Sequence, residues 1–96
     1  MKSIIVEFGK FAWNGSVINS IVPCVSMEIA KKLVKEFINK IPKIDDVTDY
    51  TVENPVENAW ILNVQMGNVE EESFVRIVEY DVVENISDFF KKELAS

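Results

Sequence analysis

The segment from Ser26 to Ile41, SMEIAKKLVKEFINKI, has the residue spacing that leaves the fewest structural alternatives. Ile29, Leu33, Phe37 and Ile41 recur every fourth residue and are flanked by Ala30, Val34 and Ile38, which makes a broad apolar stripe along one side of a helix. Ser26 is placed to cap the first turn, Lys31, Lys32, Lys35 and Lys40 fall on the remaining surface, and Pro42 closes the segment. Such a helix must bury its stripe against another element, and the runs before and after it are rich in β-branched and aromatic residues.

Before the helix, KSIIVEFGKFAWNGSVINSIV sets two β-rich runs around Asn14-Gly15, a dipeptide suited to a two-residue hairpin turn that needs positive φ at both positions. A turn centred there pairs Phe8 with Ile21, Phe11 with Ile18 and Trp13 with Ser16, and Pro23 then ends the second strand because it has no amide hydrogen to donate. After the helix, residues 43–55 are polar and acidic and read as a loop, with at most a short edge strand around Tyr50 to Val52. VENAWILNVQM reads as a strand with Trp60, Leu62, Val64 and Met66 on one face, and SFVRIVEYDVV as the next. The GNVEEE connection between them leaves their pairing register open. NISDFFKKELA closes the chain as a short helix capped by Asn85 or Ser87, with Ile86, Phe89, Phe90 and Leu94 as its buried side. The order is therefore ββαββα. The economical architecture is α+β, an antiparallel sheet of two hairpins with both helices packed on one face. The length suits a single domain over residues 1–96.

Charge and composition narrow the function. The chain has no histidine, which removes the usual general base near neutral pH and the commonest transition-metal ligand. None of Gly9, Gly15 and Gly67 belongs to a phosphate-cradling loop, and DDVTD lacks the ligand spacing of a calcium loop. The expectation is a protein that is not an enzyme and holds no cofactor and no metal. Cys24 is the only cysteine, so an intramolecular disulfide is excluded, and it reads as a core thiol in a reducing compartment. Glu7 interrupts the N-terminal apolar run, and no stretch of about 18 apolar residues offers a membrane span. A cytoplasmic protein is expected. A net charge of −6 and a pI near 4.6 disfavour direct binding to nucleic acid or to an anionic membrane.

The charge is also unevenly distributed. Residues 1–43 carry seven lysines against Glu7, Glu28 and Glu36, a basic hairpin-helix half of net +4. Residues 44–96 carry thirteen acids against Arg76, Lys91 and Lys92, an acidic hairpin-helix half of net −10. Glu70, Glu71, Glu72, Glu79, Asp81 and Glu84 are the candidate charges of a docking surface, and Tyr80 lies among them as a candidate apolar contact. Asp45, Asp46 and Asp49 form a second acidic cluster, and Trp13 beside the hairpin tip is a further candidate interface aromatic. The bland reading of the same acids is solubility and protection of a β-edge. Lys31, Lys32 and Lys35 read as the solvated side of the helix rather than as phosphate ligands.

This profile predicts a small acidic intracellular inhibitor that binds and neutralises a basic protein partner by steered association and by blocking its cleft. An immunity protein against a bacterial toxin such as a nuclease is the foremost case. A phage-type nucleic-acid mimic that blocks a defence enzyme shares the acidic surface. A self-associating structural or adaptor module, forming a homodimer through complementary halves or strand edges, is the third expectation.

Overall fold

The computed structural model describes residues 2–12, 14–82 and 85–95, apart from the side chains of Ala12 and Phe89. The described chain forms β1 (Lys2–Ala12), β2 (Gly15–Cys24), α1 (Met27–Lys40), a 3-10 turn at Ile41–Lys43, β3 (Val47–Val56), β4 (Ala59–Met66), β5 (Val69–Asp81) and α2 (Ile86–Ala95). The strands make one antiparallel sheet in the order β2-β1-β5-β4-β3. The class is α+β. The order is ββαβββα, because the segment expected to be a loop is the edge strand β3.

That difference has a local cause. Asp49, Glu53 and Pro55 argue for a loop in sequence, but an edge strand tolerates all three, since its outer side faces water and needs no amide donor. The turn after β3 is held by Asn54, whose Nδ2 donates to the carbonyls of Val56 (2.8 Å) and Ala59 (2.7 Å), while Asn58 takes a positive φ of 64°. The connection from β4 to β5 is also shorter than its sequence suggests. Gly67, at φ 62°, and Asn68 make a two-residue turn that pairs Met66 with Val69, so Glu70, Glu71 and Glu72 lie inside β5.

The first hairpin turns one residue earlier than the Asn14-Gly15 reading. Ala12 pairs with Gly15, Phe11 with Ser16 and Phe8 with Ser20, and the register shifts between Phe8 and Gly9, where β2 carries the extra residue Asn19. The expected pairing of Trp13 lies outside the described residues. Gly9 marks the irregular point. A Cβ there would overlap the Phe74 ring and the Val17 carbonyl, so only glycine lets these groups approach.

Helix α1 packs on one face of the sheet. Its cap is the expected one, with Ser26 Oγ accepting from the Ile29 amide at 3.2 Å. Its buried line is rotated from the expected one: Ala30, Val34 and the following Ile41 are buried, whereas Ile29 and Phe37 remain exposed. The small Ala30 allows the helix to sit close to the sheet. With Val6, Leu62, Val75 and Ile77 these residues form the core, and Trp60, Val64 and Cys24 pack against it half-buried. Phe37 still meets the sheet by an edge-on contact with Phe8, centroids 4.8 Å apart.

Helix α2 meets the sheet through the ion pair of Lys92 with Asp81 at 3.2 Å and not through its apolar side. Asn85 caps it, Oδ1 accepting from the Asp88 amide at 3.2 Å, but Ile86, Phe90 and Leu94 stay largely exposed, so the expected buried side of α2 is not laid against the sheet beside α1. Beyond Arg76, where β4 has ended at Ala59, only β1 still flanks β5 within the sheet, so the strand that leads into α2 has lost one neighbour. The expectation of two helices on one face is corrected accordingly. The radius of gyration, 16.6 Å, exceeds the roughly 12.5 Å of a compact chain this long. No helix of the described residues is long and apolar enough to cross a membrane.

The close approach at Gly9 is testable. Gly9→Ala should destabilise the fold by about 1–3 kcal/mol through overpacking, read as a lowered urea midpoint at unchanged slope.

Candidate functional site

Side chains alternate between the two faces of a strand, so the register decides which charges meet. On the face under α1, the cross-strand rows run Tyr50–Val64–Glu71, Val52–Leu62–Ser73–Lys10, Trp60–Val75–Phe8, Ile77–Val6–Val22 and Glu79–Ile4–Cys24. On the opposite face they run Asp49–Gln65–Glu70, Thr51–Asn63–Glu72, Glu53–Ile61–Phe74–Gly9–Ile18 and Ala59–Arg76–Glu7–Ile21. No helix of the described chain covers this second, open face.

The alternation splits the three consecutive glutamates. Glu71 points to the α1 side and forms an ion pair with Lys10 at 3.3 Å. Glu79 and Asp81 lie on the same side, with Lys2 at 3.7 Å and Lys92 at 3.2 Å respectively. The Lys92 hydrogen bond and charge, aided by Lys2, hold the Asp81 carboxyl below its ordinary range. Half of the predicted charge cluster is therefore neutralised within the chain.

Glu70 and Glu72 point to the open face, where Asp49 and Glu53 join them across β4. Asp49, Thr51, Asn63, Gln65 and Glu70 line a shallow hollow there. Among the described residues, none of these four carboxylates has a cation within ion-pair distance. The structure thus brings Asp49 from one predicted cluster beside Glu70 and Glu72 from the other. Asp45 and Asp46 lie in the loop before β3. Trp13 and Glu84 lie outside the described residues.

Beside this acidic strip the open face is apolar, with Phe11 and Ile18 about two-fifths exposed and Ile21 more than half. A buried acid sits between the two zones. Glu7, only 4 % exposed, accepts from Arg76 Nε at 2.6 Å and from the Tyr80 hydroxyl at 3.1 Å. Arg76 also lies over the Phe74 ring, 5.4 Å from its centroid, and Phe74 in turn contacts Phe11 at 5.2 Å. This network was missed by sequence reasoning. Its signal was present: Glu7 is the lone acid in an apolar strand, and Arg76 is the lone base between residues 45 and 88. Tyr80 therefore occupies the open face as a hydrogen-bonded member of this network, on the side opposite Glu79 and Asp81.

On the α1 side, an apolar groove of about 510 Å³ opens between the helix and the sheet, lined among others by Phe8, Phe37, Ile44, Leu62, Val64 and Met66, with Lys10 and Glu71 at its wall. Among the described residues no group of three or more Cys, Asp or Glu side chains is placed to hold a metal ion. The chain matches no family model, and comparison with curated proteins and with solved structures finds no match.

The Glu7 bond raises the Tyr80 phenol above its ordinary value of 10.0, because ionisation would break the hydrogen bond beside a carboxylate. The stability it contributes is present below that ordinary value and is lost as pH rises through the raised one. In a Tyr50→Phe chain, where Tyr80 is the remaining tyrosine, ultraviolet titration should place the ionisation above 10.0, and Glu7→Gln should move it back towards that value.

Proposed function

We propose that this chain is a protein-binding module that presents the open sheet face to a basic protein and neutralises it, as an immunity protein does to a nuclease toxin. One observation carries the reading: four carboxylates without a cationic partner among the described residues, Asp49, Glu53, Glu70 and Glu72, lie on a face that no helix covers, beside exposed Phe11, Ile18 and Ile21. Uncompensated carboxylates steer a cationic partner into encounter, and the neighbouring apolar patch supplies the area that holds the complex once formed. The amides of Asn63 and Gln65 between the acids can satisfy partner donors and acceptors.

In this reading the acids do not contribute equally. Glu71, Glu79 and Asp81 already have lysine partners, so a docking cation gains little from them. The Glu7–Arg76–Tyr80 network keeps the centre of the face rigid, which lowers the ordering cost on binding.

Affinity capture at low salt, followed by salt-step elution, tests both parts. The chain should retain a basic protein, release it as salt rises, and inhibit that protein's activity in a purified assay. Asp49→Asn/Glu70→Gln/Glu72→Gln should weaken binding at least tenfold, whereas Glu71→Gln/Glu79→Gln/Asp81→Asn should change it less than about threefold. Equal losses from the two triple variants would remove the open face from the account.

A further inference from the structure

The two edges of the sheet are treated differently by the sequence. β3 carries Asp49, Glu53 and Pro55 and has two register irregularities, between Val47 and Asp49 and between Glu53 and Val56. These are the devices that stop an edge from pairing with another chain. β2, at the other edge, is ten residues long, GSVINSIVPC, and contains no charged residue. Its one proline, Pro23, lies at the end of the strand, and one side of its backbone has no strand beside it. Val17, Ile18 and Ile21 on this edge are 55, 43 and 58 % exposed. An unguarded apolar edge next to a guarded one marks a join.

The surface area points the same way. The chain exposes 7240 Å², whereas a compact monomer of 11.0 kDa exposes roughly 5600 Å². The surplus, about 1600 Å², is twice the roughly 800 Å² that each partner buries in an interface of standard size. Part of it belongs to α2, and the exposed Val17, Ile18 and Ile21 of β2 contribute to the rest.

We propose that the chain forms a homodimer in which β2 pairs antiparallel with β2 of a second copy across a two-fold axis. Such a contact is self-complementary, because each residue i that meets residue j is met in turn by i at j of the other copy. It supplies main-chain hydrogen-bond partners to the outer side of β2 and sets Ile18 and Ile21 of one copy beside apolar side chains of the other. The five-stranded sheet becomes one continuous sheet of double width, and the guarded β3 strands form its two outer edges. With no charge on β2, the dimer is held by backbone bonds and apolar contact, so it withstands salt, unlike an association between the oppositely charged halves of the chain. The dimer draws Ile18 and Ile21 from the apolar patch and leaves Phe11 and the open-face carboxylates to a partner, so its test reads self-association in the chain alone.

Sedimentation equilibrium of the full chain, in low salt and in about 0.5 M salt, should give twice the 11.0 kDa monomer mass in both. Ile21→Lys puts a charge on the exposed edge and should raise the dimer dissociation constant at least tenfold, while Thr51→Lys on β3 should leave it unchanged. Hydrogen exchange on the unaltered chain supplies a reading that does not depend on any variant folding: the outward amides of β2 should be protected and lose that protection on dilution, whereas those of β3 exchange fast throughout. A monomer at about 100 μM, a dimer that dissolves in salt, or a dimer insensitive to Ile21→Lys with unprotected β2 amides would each overturn the proposal.

Discussion

A five-stranded sheet has two faces, and in the described chain a single helix packs on them. The rest of the molecule follows from that shortage of cover. The face under α1 becomes the core, built on Val6, Ala30, Val34, Leu62 and Val75, each nearly or fully removed from water. The other face has to remain compatible with solvent while lying directly behind that core. Its solution is divided: carboxylates and amides over β3, β4 and the start of β5, and an apolar half over β1 and β2. Glu7, Arg76 and Tyr80 join the two halves through one hydrogen-bonded cluster. A buried carboxylate is costly unless it is paired, and here one guanidinium and one phenol complete it.

The same constraint explains how the charge is arranged. Lys2 and Lys10 of β1 pair with Glu79 and Glu71 on the α1 side, while among the described residues Asp49, Glu53, Glu70 and Glu72, which face away from the helix, have no cation within ion-pair distance. The +4 and −10 halves of the sequence thereby meet within one sheet, since β1 from the basic half pairs with β5 from the acidic half.

Much of the architecture was legible in the sequence where local signals were strong. The stripe and the serine cap fixed α1, and the alternation of Trp60, Leu62, Val64 and Met66 fixed both the strand β4 and its inward face. What escaped was masked by the physics it expresses. β3 read as a loop because Asp49, Glu53 and Pro55 are the residues that keep an edge strand from pairing further. Glu70 to Glu72 read as a turn because three like charges suit solvent, while the adjacent Gly67-Asn68, itself a hairpin dipeptide, was absorbed into the same connection. The apolar stripe of α2 was legible, but amphipathicity states only that a side is apolar, not that the fold has anything to set against it. The division of the acids between faces needed the register, which alternation alone does not supply. Glu7 was the remaining clue, an acid in an apolar strand whose partner lies 69 residues away in sequence.

The face opposite α1 lies open to solvent, whereas the face beneath the helix is closed. Solvent paramagnetic relaxation in the free protein reads this residue by residue, with a neutral gadolinium chelate as the probe. Strong relaxation is expected at the side chains of Phe11, Gln65 and Tyr80, and almost none at Val6, Leu62 and Val75. Protection of Phe11, Gln65 and Tyr80 to the level of the core residues would mean that another part of the chain covers this face, and would contradict the account.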